Sequence, residues 1–336
     1  MKTPKKMIEG VKESFAAFKE NKKLYNIVRF SVSAAITVLV IILTAVALRD
    51  MDFSTIAHIE NDWKMFLFAL PVFLAGPFFK SASMAFGYAK DDMKYFDAVK
   101  VTVIGNGLNL VLPFKLGEGV RLSMYPHGMT VAKRARYFGS MLICEAVMLL
   151  IFMLLSGVFQ ISENNYITDE QRYFDFWLPA FFILLAGVIL VAAVLLIIKR
   201  SRELIKDLVT TEKGINSLIF NVLSWCSTYT AIVLVLLSFS NITFFTALKI
   251  AASVIVFINL AILIPSTPGQ LGIFELSVML SFLAAGLTPE QGVVAGLLLH
   301  LVYYICLLPA TGVVYFIHRI KARRFENTGE IVKREN

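Results

Sequence analysis

Charge is the first thing this sequence is short of. Charged residues occupy 17% of its 336 positions and hydrophobic residues 57%, against about a quarter and a half in an ordinary soluble domain. That balance excludes a soluble fold and calls for a chain that crosses the membrane several times. Cysteine is nearly absent too. Cys144, Cys226 and Cys306 each sit inside an apolar run, with no C-x-x-C or histidine-rich spacing, so neither a disulfide framework nor a zinc site is expected. The sequence also has no H-x-x-x-H pair, no D-D-x-x-D cluster and no Ser/His/Asp grouping near a turn. Their absence counts against a membrane-embedded lipid-modifying enzyme, and no metal or other cofactor is expected. No cleavable leader is expected either: the first 27 residues are lysine-rich, and the first long apolar run ends in Arg49 and Asp50 instead of a small-residue cleavage site.

What is present is a series of apolar runs, each near the roughly 20 residues that a crossing helix needs. Full spans are expected at 28–48, 64–86, 137–159, 176–198, 217–240 and 292–317. Residues 1–27 read as a basic amphipathic segment on the anionic cytoplasmic leaflet or as a solvated basic tail, and 319–336 as a basic cytoplasmic tail. The net charge of +8 does not point to nucleic acid, because the basic residues sort by side of the membrane. Of 32 lysines and arginines, all but Arg49, Lys64, Arg172 and Lys249 fall in segments that this topology puts in the cytoplasm. Both termini are therefore expected there, in a multi-pass protein of the inner (plasma) membrane.

Two stretches break the pattern. Val101 to Leu112 is too short to cross, and it runs into Pro113, Lys115, Gly117, Glu118 and Arg121 before a basic return. Far downstream, Ala247 to Ile264 runs into Pro265, Gly269 and Gly272 and returns from Ile273 to Ala285. Aligning Pro113 with Pro265 also brings Gly117 onto Gly269 and Glu118 onto Gln270, a P-x-x-x-G-[E/Q] pattern once in each half. Each stretch reads as a re-entrant helical hairpin. The expected fold is thus an all-α polytopic membrane protein of about six full spans plus two re-entrant hairpins. Units 64–159 and 217–317 would be arranged as inverted repeats within a transmembrane domain at 28–318, the alternative being eight ordinary transmembrane helices.

Polar backbone at membrane depth survives only inside protein or against a wet cavity, so the two turns are expected to face a shared cavity. The glycines at 117, 269 and 272 would let the chain turn and a ligand approach. Glu118 and Arg121, three residues apart, share a helix face. They form a structural ion pair, or Glu118 holds Arg121 and Lys115 ready for a phosphate. Glu145 lies within a span, where an unpaired carboxylate costs about 2.5–3.5 kcal/mol, so it should face inward and be paired or protonated. Glu275 starts the second return arm as a helix-start residue or a substrate contact. His300, one turn from Tyr304, is a structural histidine or a proton carrier. Asn106 and Asn109 share one face, with interhelical hydrogen bonding as their default role.

The pattern L-P-x-[K/R]-x-G-E-x-x-R (Leu112, Pro113, Lys115, Gly117, Glu118, Arg121), followed by P-x-x-P-G-x-x-G-x-x-E (Pro265, Pro268, Gly269, Gly272, Glu275), resembles the lysylphosphatidylglycerol synthase transmembrane region family. These flippase-like domains occur alone or fused to an aminoacyl-transfer domain in bacterial multiple peptide resistance factors. The resemblance spans about 25–320 and implies movement of a lipid between leaflets. Only twelve residues follow Arg324, so a stand-alone member without the transferase domain is expected, and the lipid stays open.

The expected function is a flippase or scramblase-like transporter of an anionic or zwitterionic lipid, whether phospholipid, glycolipid or polyprenyl-phosphate. The alternatives are a secondary transporter of a small soluble anion and a non-catalytic membrane scaffold. A membrane lipid is the expected partner, and homo-oligomerisation is left open.

Overall fold

The computed structural model of the chain describes residues 63–112, 116–126, 129–161, 199–261 and 270–335. The amphipathic segment 1–27, the expected spans at 28–48 and 176–198, and the turn residues Pro113, Lys115, Pro265 and Gly269 lie outside them.

The described residues are all-helical. In chain order the helices are α1 (Trp63–Ala82), continued by a π-helical turn (Ser83–Tyr88), α2 (Tyr95–Val111), α3 (Leu116–Ser123), α4 (Val131–Ile161), α5 (Lys199–Thr210), α6 (Glu212–Leu236), α7 (Phe244–Ala261), α8 (Ile273–Ala284) and α9 (Pro289–Glu335). Among the described residues, five segments are long and apolar enough to cross a membrane: Trp63–Tyr88, Val131–Val158, Glu212–Leu236, Phe244–Ala261 and Pro289–Ile320. The chain is an all-α polytopic membrane protein.

Several boundaries differ from the sequence reading. The loop before the first hairpin is short, because α2 already begins at Tyr95, with Asp97 in its first turn where the helix dipole favours an acid. α4 starts at Val131, several residues before the expected span. α7, read as a hairpin arm, has crossing length by itself. α9 continues past its apolar run as one helix to Glu335.

Helices in lipid gain little from hydrophobic association and rely on close approach and hydrogen bonds. The α1–α6 contact shows both. Gly76 backs onto the Ser224 carbonyl, and Gly87 of the π turn sits so close to Ser217 that an added Cβ would come within 2.6 Å of its side chain. Ser224 Oγ donates to the Gly76 carbonyl at 2.9 Å, Ser83 Oγ to the Ser217 carbonyl at 2.8 Å, and Ser227 Oγ to the Val72 carbonyl. Residue numbers fall on α1 as they rise on α6, so the two helices are antiparallel. Pro71 and Pro77 inside α1 interrupt its own hydrogen-bond ladder along the stretch that the serines bridge.

Part of the remaining packing is matched between the halves. α2 packs on α3, and α7 on α8; α2 packs on α9, and α7 on α4. α2 and α3 run antiparallel, with Asn109 bonded to Glu118 and Asn106 to Arg121. The largest apolar core joins Phe73 of α1, Phe152 of α4, Leu236 of α6, Val254 of α7, Phe282 of α8 and Leu299 of α9.

At one end of the bundle, ion pairs tie the 89–94 loop to other elements. Lys213 reaches Asp91, Lys90 lies 3.5 Å from Glu212, and Lys133 lies 2.9 Å from Asp92. The Tyr137 hydroxyl, and then the Lys133 ammonium, hold the Asp92 carboxyl below the ordinary carboxylate range.

The α8–α9 seam yields a direct test. A Cβ on Gly296 would stand 2.9 Å from the Glu275 Cα, so Gly296→Val forces the two helices apart. We expect a loss of about 1–3 kcal/mol, typical of overpacking, seen as a lower unfolding midpoint in detergent, whereas Gly312→Val, which meets nothing within 4 Å, leaves the midpoint unchanged.

Candidate functional site

A cavity of about 480 Å³ lies among α1, α2, α3, α4 and α6 to α9. Its walls are largely apolar, with Phe73, Leu110, Phe138, Leu142, Ile232 and Leu307 among them, and its polar groups gather into three acid–base stations.

The first is built by the hairpin of α2 and α3. Arg121 is the largest fully buried side chain of the described residues, 1% exposed. Its guanidinium lies 2.9 Å from Glu118 and donates to Asn106 Oδ1 at 2.5 Å, with Met141 Sδ 3.5 Å away. Asn109 Nδ2 donates to the other Glu118 oxygen at 3.0 Å. The geometry depends on small residues. A Cβ on Gly105 would meet Arg121 Nε at 2.7 Å, and one on Gly117 would meet Asn109 and the Gly105 carbonyl at 2.3 and 2.4 Å. Gly117 therefore stands at a helix–helix contact, letting α3 lie on α2. Arg121 Nε and Asn109 Oδ1 have no hydrogen-bond partner.

At the second station, Lys80 Nζ lies 2.9 Å from Glu145 Oε1, the two side chains being 20% and 25% exposed. Asn221 Nδ2 donates to the same oxygen at 3.2 Å, and Trp225 Nε1 to the other at 3.1 Å. Both oxygens of Glu145 are thereby satisfied by an ammonium, an amide and an indole drawn from α1 and α6. Such a set meets the hydrogen-bonding needs of a carboxylate within a helix bundle.

His300 and Glu275 form the third. His300 Nδ1 lies 2.6 Å from Glu275 Oε1, and both residues are buried. The imidazole is stacked between Phe274 and Tyr304, at centroid distances of 4.6 and 4.9 Å. Glu275 Oε2 accepts from the Gly272 N–H at 2.6 Å, which caps α8. Gly272 has φ 84°, the left-handed region that glycine adopts at little cost.

Of the candidate residues, Asn106, Asn109, Glu118, Arg121, Glu145 and His300 line the cavity together, with Glu275 directly behind His300. Gly117 and Gly272 stand behind the lining as packing and capping positions. Lys80, Asn221, Trp225 and Thr228 were not among the candidates. The signal for Lys80 was a lysine inside the expected span 64–86, and Glu145 required a partner. Among the described residues no three His, Cys, Asp or Glu side chains cluster as a metal site would require.

Fold and site together define a multi-pass membrane protein with a largely apolar cavity among its helices that holds buried ion pairs. The chain belongs to the Lysylphosphatidylglycerol synthase TM region family, whose sequence profile matches residues 27–310. It is thus a member of a lipid-related, flippase-like family of membrane proteins. Comparison with curated proteins and with solved structures finds no match.

The second station sets an expectation for stability. Glu145→Gln leaves the Lys80 ammonium without its counter-charge, and we expect a loss of about 1–3 kcal/mol. Lys80→Met combined with Glu145→Gln recovers part of it. Unfolding midpoints of the two single variants and the double variant would measure the coupling, and purely additive losses would mean that the pair contributes nothing.

Proposed function

We propose that this protein moves an anionic or zwitterionic lipid between the leaflets of the inner membrane, with the head group in the cavity and the acyl chains left in lipid. The observation that carries this reading is the amphiphilic character of the cavity. Buried acid–base stations with unpartnered donor and acceptor atoms lie against walls of Phe, Leu and Ile, and membership of a lipid-related family adds to it.

In the mechanism we infer, Arg121 is the principal phosphate contact, because a guanidinium presents several donors in a plane and is always charged. Glu118 and Asn106 are positioning residues that fix its orientation. Arg121 Nε, packed against Gly105, has no hydrogen-bond partner. Lys80 offers a second cation, exchanged between Glu145 and the head group as the lipid passes. The chain acts as a transporter, not an enzyme.

The two hairpins would be re-entrant and the two four-helix units inverted with respect to each other. Support comes from the antiparallel α1–α6 pairing and from the matched packing of α2 on α9 and α7 on α4. An inverted pair of units allows alternating access, one opening facing each leaflet in turn. Both termini would lie in the cytoplasm, where basic segments meet an anionic leaflet.

The test is head-group exposure of fluorescent lipids in proteoliposomes, across anionic and zwitterionic lipids. We expect selective movement by the wild type, reduced by about tenfold or more in Arg121→Ala, the equivalent of a charge-assisted hydrogen bond of about 1.5–3 kcal/mol. Glu118→Gln falls less, and Arg121→Lys, which keeps the charge but loses the fork, falls in between. Folded wild type that moves no lipid would remove this reading in favour of a soluble-anion transporter.

A further inference from the structure

Of the three stations, the pair of His300 and Glu275 is the one with a charge imbalance. The lining carries Lys80 from α1, Glu118 and Arg121 from α3 and Glu145 from α4, which cancel in pairs. Among the described residues α2, α6 and α7 add only uncharged groups to it, such as Asn106, Thr228 and Asn259. α9 adds His300 and Tyr303, and α8 sets Glu275 behind the imidazole. Among the described residues, a neutral imidazole leaves Glu275 as one negative charge in excess, and an imidazolium balances it.

His300 also has an atom left over. It is 3% exposed and lines the cavity, Nδ1 is taken by Glu275, and buried Nε2 has no hydrogen-bond partner. An unsatisfied ring nitrogen at that depth is costly, because burial removes its water and no protein group replaces it. The stacking of Phe274 and Tyr304 on the ring keeps it from turning away. Native proteins rarely leave such a group alone, so its presence in a cavity wall points to a ligand atom.

We propose that His300 is a proton-binding site whose occupancy is linked to that of the substrate phosphate: the imidazolium donates from Nδ1 to Glu275 and from Nε2 to a phosphate oxygen. The proton comes from solvent, and no covalent bond of the lipid changes. In the neutral ring, whose Nδ1–H donates to Glu275, Nε2 presents a lone pair, which repels a phosphate oxygen. Proton and phosphate therefore strengthen each other's binding, by the same factor in both directions. The sign follows: phosphate raises the affinity of the ring for its proton, so phosphate binding is tightest at low pH. It weakens as pH rises through the range where the free and then the bound imidazole lose the proton. Because Glu275 also accepts from the Gly272 N–H at 2.6 Å, proton loss changes the charge balance on the carboxylate that caps α8. This links the proton to the segment that enters the second return arm. The inference rests on the head-group reading and adds to it a coupling ion, the proton.

The test uses the full chain in detergent and measures the binding of short-chain phosphatidylglycerol by calorimetry. Titrations run in buffers of different ionisation enthalpy, at several pH values between 5 and 8.5, with inorganic phosphate titrated in parallel. We expect proton uptake on lipid binding and an affinity that falls by up to about tenfold per pH unit above the range where the free imidazole titrates. His300→Gln should abolish the uptake and flatten the pH profile. Because His300→Gln leaves the buried Glu275 charge without its partner, His300→Gln with Glu275→Gln is measured alongside and should give the same flat profile on a folded protein.

Uptake that persists in both variants, or lipid binding by the wild type without uptake, overturns the inference, and so does the absence of binding by either probe. Uptake with inorganic phosphate, with no binding of the lipid, keeps the proton site and replaces its ligand by a soluble anion. Lipid movement in proteoliposomes separates the two readings. Movement without proton linkage removes this inference and leaves the transport reading intact, whereas proton-linked lipid binding without movement does the reverse.

Discussion

A carboxylate or an ammonium inside a helix bundle must meet an opposite charge or a full set of hydrogen bonds, because the surrounding hydrocarbon offers neither. In this protein the described cavity obeys that constraint three times, with Glu118 against Arg121, Glu145 against Lys80, and Glu275 against His300. Each pair joins or stiffens different parts of the fold. Arg121 is packed over Gly105, Glu145 draws α1, α4 and α6 together, and Glu275 spans α9 and the start of α8. The cavity is where these obligations meet. Its chemistry and the packing of the bundle are therefore hard to alter separately.

Packing supplies the frame for that arrangement. Serines and glycines let α1 and α6 run close and antiparallel, and the helices that follow each of them find corresponding partners in the other half. An interhelical hydrogen bond in a membrane contributes only about 0.6 kcal/mol on average. The α1–α6 contact accordingly uses several bonds spaced along its length. The two halves are not identical. α8 packs closely on α9 through Gly292 and Gly296, whereas the extensive packing of α3 is on α2, so the two hairpins are seated differently.

Much of the fold was legible in the sequence because apolar runs of crossing length carry a strong signal. Among the described residues, four of the five segments of crossing length were read as spans directly, within a few residues at most ends, and α7 was read as a hairpin arm because Pro265 follows it so closely. The grouping of Asn106, Asn109, Glu118 and Arg121 could be anticipated from helical spacing around one turn. The requirement that Glu145 be paired or protonated was legible from its cost in lipid. Its partners were not, since Asn221 and Trp225 come from the other half of the chain and no local rule joins them. Lys80 was missed because, although it lies within the expected span 64–86, it was grouped with the basic residues of the cytoplasmic side. In the structure α1 continues past it into the π turn, which keeps its side chain inside the bundle. His300 and Glu275, 25 residues apart, meet through the packing of α8 on α9, a tertiary contact that spacing alone does not reveal.

The central claim is that a lipid head group enters this cavity while its chains remain in the bilayer. Photo-crosslinking in native-like bilayers, with a phospholipid carrying the reactive group on its head and a second carrying it on an acyl chain, addresses it most directly. The account predicts that the head-group probe labels cavity residues such as Phe138 and Thr228, while the chain probe labels surface positions such as Leu154 and Val313. Head-group adducts confined to surface positions, with the cavity residues unlabelled, would contradict it.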